Sequence, residues 1–110
     1  MSIRVLHDHD IPSRRAIRVR PGECVRVGER SPEWPAFVFV VTTNGEGWVP
    51  ERHLDASRPE AIVCDDYDTQ ELPVGTGDLV EVLRSDDPSA WSWCRDRDGR
   101  EGWVPHSALT

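Results

Sequence analysis

Three groups of residues in this sequence have types and spacings that can do chemistry. His7 and His9 are separated by one residue, so in a strand they face the same side. Imidazoles placed together ligate Zn²⁺ or titrate near neutral pH. A run of carboxylates, Asp65, Asp66, Asp68 and Glu71, is followed by Asp86 and Asp87. Such a cluster suits charge-assisted hydrogen bonds to the Arg or Lys of a ligand, or serves as solvated charge that keeps a small protein dispersed. The cysteines are Cys24, Cys64 and Cys94, an odd number with no C-x-x-C. That pattern signals neither a disulfide framework nor a zinc knuckle, and free thiols in a reducing cytoplasm are the simpler expectation. No Gly-rich phosphate loop follows a strand, and no Cys/His spacing demands catalysis, so no enzyme and no cofactor are expected.

Composition narrows the classes further. The chain has 110 residues, 30% of them charged, and a formal net charge of -7 with Arg as its only cationic side chain besides His. A nucleic-acid binder is expected to be basic, so nucleic acid is not an expected partner. The N-terminal residues MSIRVLHDHD contain no long apolar run. Neither a secretory signal nor a membrane span is expected, and the expected location is the cytoplasm.

The elements that must position these groups come in two copies. Gly47-Trp48-Val49-Pro50 recurs as Gly102-Trp103-Val104-Pro105, an offset of 55. At the same offset, Pro21-Gly22-Glu23-Cys24-Val25-Arg26-Val27 parallels Thr76-Gly77-Asp78-Leu79-Val80-Glu81-Val82. Asn44-Gly45 parallels Asp98-Gly99, and Leu54 and Leu109 close the copies. Val25 and Val27 alternate with Arg26, and Val80 and Val82 with Glu81, which is strand periodicity. Asn-Gly and Asp-Gly predict hairpin turns. The expected division is residues 1–55, a short linker 56–60 containing Ser57-Arg58-Pro59, and residues 61–110.

The second copy resembles a Src-homology 3 (SH3) domain over nearly its full length. Ala61-Ile62-Val63-Cys64-Asp65 stands at the ALYDY strand, and Glu71-Leu72-Pro73-Val74 with Gly77-Asp78 at ELSF…GD. Trp91 stands at the first Trp of the WW pair, Gly102-Trp103-Val104-Pro105 at the G-[FWY]-[VI]-P strand, and His106-Ser107-Ala108-Leu109 at the closing turn. The first copy is similar, with Val5-Leu6-His7-Asp8-His9, Ala16-Ile17-Arg18-Val19 and Gly22-Glu23 in those places. Trp34-Pro35 in the preceding loop is similar to bacterial variants of the domain.

The resemblance implies an all-β chain of two tandem SH3-like five-stranded barrels packed against each other, each with a shallow aromatic groove. It implies a first groove of His7, His9, Trp34, Phe37, Pro50 and His53. It implies a second of Trp91 and Pro105 flanked by Asp65, Asp66, Asp68, Glu71, Asp86 and Asp87, with Val63, Asp65 and Ala108 or, given a gap, Tyr67 at the remaining groove positions. By the family layout His53 approaches His7 and His9, a three-His arrangement with an open position. A metal there is not the favoured reading, because no partner orients the rings. By the repeat boundary, residues 1–55 hold eight Arg against eight acids and residues 56–110 five against twelve. The second barrel is therefore expected to favour a basic ligand, and the run Arg14, Arg15, Arg18 and Arg20 to complement its acidic loops, within one chain or by self-association. Cys94 aligns with Val40 and is expected in the core, and Cys24 aligns with Leu79.

The expected function is a non-catalytic adaptor that binds a protein or peptide, basic or proline-containing. The alternatives are a wall-peptide or glycan-binding module of the bacterial SH3-like kind, or an interaction protein that responds to metal or pH through the histidines.

Overall fold

The computed structural model describes residues 2–11 and 14–109. Apart from a 3₁₀ turn at Glu51–His53 and a four-residue helix α1 at His106–Leu109, every element is a strand. The chain forms two compact units. One is Arg14–Thr69; the other joins Met1–Ser13 to Gln70–Thr110.

In the unit Arg14–Thr69, β3 (Cys24–Arg30), β4 (Phe37–Thr42), β5 (Gly45–Pro50) and β6 (Glu60–Ile62) form an antiparallel sheet in the order β5-β4-β3-β6. A separate pair joins β2 (Arg18–Val19) to β7 (Tyr67–Asp68). The alternation in the sequence sets the faces. Val25, Val38, Val40 and Val49 are buried, while Arg26, Val41 and Glu46 are exposed. Thr42 pairs with Gly45 across a two-residue turn, and Thr42 Oγ1 accepts from Asn44 N–H at 3.0 Å. Gly45 has φ +139°, and a Cβ there would lie 2.9 Å from Ile17, so the turn needs glycine on both counts.

In the other unit, β1 (Ser2–Arg4), β8 (Leu79–Asp86), β9 (Trp91–Arg95) and β10 (Glu101–Pro105) form a sheet in the order β1-β8-β9-β10. Its core is Val5, Leu72, Val74, Val80, Cys94, Val104, Ala108 and Leu109, with Ile3 and Val82 against it. Asp96 closes the β9–β10 turn, its carboxylate accepting from Asp98 N–H, Arg100 N–H and Arg100 Nε, each at 2.9 Å. Burial raises the pKa of this carboxyl, but these hydrogen bonds outweigh burial and hold it below its ordinary value.

The compact units do not follow the boundary expected at residues 56–60. Each takes its first strand from the half of the sequence that supplies the rest of the other. Val63 N–H donates to Glu23 O at 2.8 Å, and Gly22 N–H donates to Val63 O at 2.8 Å. Val5 N–H donates to Asp78 O at 2.7 Å, and Gly77 N–H donates to Val5 O at 2.8 Å. Val63 thus has in one unit the bonds that Val5 has in the other. The connection explains the arrangement. Asp55 Oδ1 accepts from Ser57 N–H and Ile62 N–H, both at 3.1 Å, and Asp55 N–H donates to Ile62 O at 2.9 Å. Those bonds, first that from Ile62 N–H, hold the Asp55 carboxyl below its ordinary pKa. A turn this tight folds residues 60–63 straight back onto Leu54 and β3.

Candidate functional site

The exchange of first strands redistributes the expected groove residues. His53, Phe37 and Pro50 lie in the unit Arg14–Thr69, together with Trp34, Asp65, Asp66, Tyr67 and Asp68. His7, His9, Trp91 and Pro105 lie in the other unit, with Glu71, Asp86 and Asp87. His7 and His9 thus belong to one unit and His53 to the other, and no group of three or more metal-ligating side chains occurs among the described residues.

In the unit Arg14–Thr69, the groups converge on Tyr67. Its ring meets Phe37 edge-on, with centroids 6.3 Å apart, and meets His53 edge-on at 5.4 Å. Phe37 is opposite Pro50 in the β4–β5 ladder. Tyr67 is held by its backbone pairing with Val19, and the next residue but one, Thr69, bonds Ile17 from both its N–H and its hydroxyl. His53 Nδ1 lies 3.1 Å from Asp66 O, which places a proton on Nδ1 and leaves Nε2 as an acceptor in the neutral ring. Asp65 and Asp66 are exposed, and Asp68 is half-buried. Arg18 reaches Asp66 at 4.0 Å between exposed side chains, a weak contact in water. Arg14 lies over the Phe39 ring at 5.0 Å. Two members of the Arg run thus find partners inside their own unit. Trp34 is half-buried in the loop before Phe37, where its N–H donates to Ser31 Oγ at 2.9 Å and its carbonyl accepts from Phe37. Pro32-Glu33-Trp34-Pro35 is accordingly part of a turning loop.

In the other unit, His9 occupies the place that Tyr67 has in its own. Its backbone pairs with Val74, and its ring meets Trp91 edge-on at 5.3 Å. His9 Nε2 lies 2.8 Å from Glu71 Oε1, both side chains being largely buried. Glu71 is thus engaged from within the unit. Asp8 is spent on structure too. It accepts from Thr76 N–H at 2.7 Å and Thr76 Oγ1 at 2.9 Å, and the backbone bond first and the hydroxyl second hold its carboxyl below the ordinary value. His7 and Asp87 are exposed, and Asp86 pairs with Trp91 across β8 and β9. Trp93 and Trp103 meet edge-on at 5.3 Å, with Trp93 Nε1–H donating to Glu101. Cys94 is fully buried, and burial pushes its thiol up to about 11.

One contact had no signal in the sequence. Ser92 Oγ lies 2.9 Å from His106 Nε2 and 3.0 Å from Ser85 Oγ. A Ser–His contact can activate a nucleophile, but Ser92 is 2% exposed on the core side of β9, and the trio ties β8, β9 and α1 together. The corresponding place in the unit Arg14–Thr69 holds Arg30 and Arg58 on Glu51, at 2.6 and 2.9 Å. These guanidiniums, Arg30 first, hold the Glu51 carboxyl below its ordinary pKa.

Residues 63–110 match the family model of the variant SH3 domain. No solved structure matches the chain. A variant SH3 domain is in general a non-catalytic binding module for protein or peptide. The variant SH3 match begins at Val63, within the unit Arg14–Thr69, and continues through the residues that form most of the other. Among the described residues, no helix is long and apolar enough to cross a membrane.

Proposed function

We propose that this chain is a non-catalytic adaptor whose unit Arg14–Thr69 binds a peptide carrying an Arg or Lys beside an apolar or proline residue. The observation that carries this reading is the edge-on meeting of the half-buried His53 with Tyr67, and of Tyr67 with Phe37, next to the exposed carboxylates of Asp65 and Asp66; Phe37 and Tyr67 are themselves buried, at 6% and 8% exposure, and offer a ligand only their edges. Rigid aromatic groups with a polar rim are the usual anchors of a peptide. The carboxylates supply charge-assisted bonds to a ligand cation. The local arrangement of charge, and not the overall balance, decides between the two units. The unit Arg14–Thr69 has eight Arg against ten acids and the other five against ten, so the other is the more acidic overall. The local groups reverse that preference, because Glu71 is already satisfied by His9 while Asp65 stays free in water.

The test is titration of the isotope-labelled protein with a short peptide containing Pro-x-x-Pro and a flanking Arg. Amide shifts are expected at Phe37, His53, Tyr67 and the neighbouring Asp residues. The double substitution D65N/D66N is expected to weaken binding about tenfold and to flatten its salt dependence, since exposed charges are screened over roughly 10 Å at 0.1 M salt. Shifts confined to His9 and Trp91, or affinity indifferent to salt and to D65N/D66N, overturn the reading.

A further inference from the structure

The exchanged strand brings together two thiols that the sequence separates. Cys24 lies in β3 directly opposite Ile62 of β6. Ile62 is exposed, Val63 buried and Cys64 exposed, so Cys64 is on the same outer face as Ile62 and Cys24. Cys24 and Cys64 are therefore diagonal neighbours across adjoining strands. Such neighbours stand about 7–8 Å apart, with Cβ atoms closer. A disulfide needs a Cα separation below about 7 Å and Cβ atoms about 4 Å apart, so the segment at Cys64 must close on β3 by roughly 3 Å, at a point where Gly22 and Glu23 both face Val63 and the ladder is bulged. Cys64 lies beyond the last paired residue of β6, where its N–H donates to His53 O at 2.7 Å. Both thiols are free and exposed, whereas Cys94 is buried in the core.

We propose that Cys24 and Cys64 form a redox-controlled disulfide on meeting a low-molecular-weight disulfide, pinning the segment that carries Asp65, Asp66 and Tyr67 to β3. The thiolate of one cysteine attacks the small disulfide, forms a mixed disulfide and releases one small thiol. The thiolate of the second attacks the protein sulfur of that mixed disulfide and releases the other small thiol. The protein loses two protons and two electrons, and the small disulfide is reduced to two thiols. The pairing depends on the strand exchange and not on any ligand. Were residues 61–65 the first strand of the unit containing Gln70–Thr110, Cys64 would lie beside β8 and away from Cys24.

The experiment incubates the intact folded chain with oxidised glutathione and maps it by non-reducing mass spectrometry after alkylation. The expected product is a monomer lighter by about 2 Da, with one cross-linked peptide pair containing Cys24 and Cys64 and with Cys94 alkylated only after denaturation. C24S and C64S are each expected to lose the cross-link completely and to stop at the glutathione adduct. The oxidised chain is expected to unfold at a temperature higher by about 5–10 °C. Glutathione adducts at both cysteines without a cross-link, a pairing that involves Cys94, or disulfide-linked dimers in place of the monomer would overturn the proposal.

Discussion

At the scale of single residues, corresponding positions in the two units face different neighbours. Gly47 and Gly102 both precede the Trp-Val-Pro of their strands. A Cβ on Gly47 would touch Thr69 Cγ2 at 3.5 Å and Ile17 at 3.6 Å, ordinary contacts with side-chain atoms. A Cβ on Gly102 would fall 2.6 Å from the Glu71 carbonyl carbon and 2.7 Å from Leu72 N, which are backbone and cannot rotate away. Gly102→Ala is therefore expected to cost about 2–3 kcal/mol by overpacking, and Gly47→Ala less than about 1 kcal/mol. Chemical denaturation of the two variants checks this, and equal costs would contradict it. The identical tetrapeptide gives no hint of the difference. Glu71 and Leu72 lie some thirty positions away, and only the Glu71–Trp103 pairing brings their backbone over Gly102. His9 is a similar case. Its imidazole type suggests metal or titration, but its observed partners are a carboxylate and an indole, so it takes the role that Tyr67 has in the other unit.

At the scale of elements, the strands were legible because alternation of Val with polar residues has one physical meaning, a sheet with one buried face. The Asp98-Gly99 turn was legible because Gly99 adopts positive φ, at +86°; in the other hairpin the two turn residues are Thr43 and Asn44, one position earlier than expected, and Gly45, at φ +139°, opens β5. What periodicity does not encode is the host of a first strand. Ser2–Arg4 and Glu60–Ile62 pair through backbone atoms that every residue has. Either segment satisfies the requirement for an apolar residue at the Val5 or Val63 position. The structure assigns Val5 to the core with Leu72, Val80 and Val104. Val5→Ala is accordingly expected to perturb amide shifts at Val80, Cys94 and Val104, and Val63→Ala those at Val25 and in the Gly22–Glu23 turn. Each is expected to cost about 2–3 kcal/mol for a truncated, fully buried aliphatic side chain. The opposite assignment of shifts would restore contiguous units.

At the scale of the whole molecule, exchange of first strands makes each half of the sequence incomplete by itself. Residues 1–56 lack β6 and β7, and residues 57–110 lack β1 and the His9–Val74 pairing. Mixing the two fragments is expected to give a 1:1 complex whose amide spectrum overlays that of the intact chain. Neither fragment alone is expected to do so. Separate fragments that each reproduce half of the intact spectrum would refute the arrangement. The proposed peptide site rests on this exchange, because within the unit Arg14–Thr69 the backbone of Asp65 and Asp66, from the second half, meets His53 of the first.

The sequence by itself determined that the chain is built of strands, where its glycine turns fall, that Val25, Val40, Val80 and Cys94 face inwards, and that a variant SH3 pattern runs through its second half. These features depend on local periodicity and on residue type. The tertiary structure alone decided which first strand completes which unit, and with it which histidine meets which carboxylate. The physical reason is the turn held by Asp55, whose hydrogen bonds to Ser57 and Ile62 send the chain back onto the sheet it has just left.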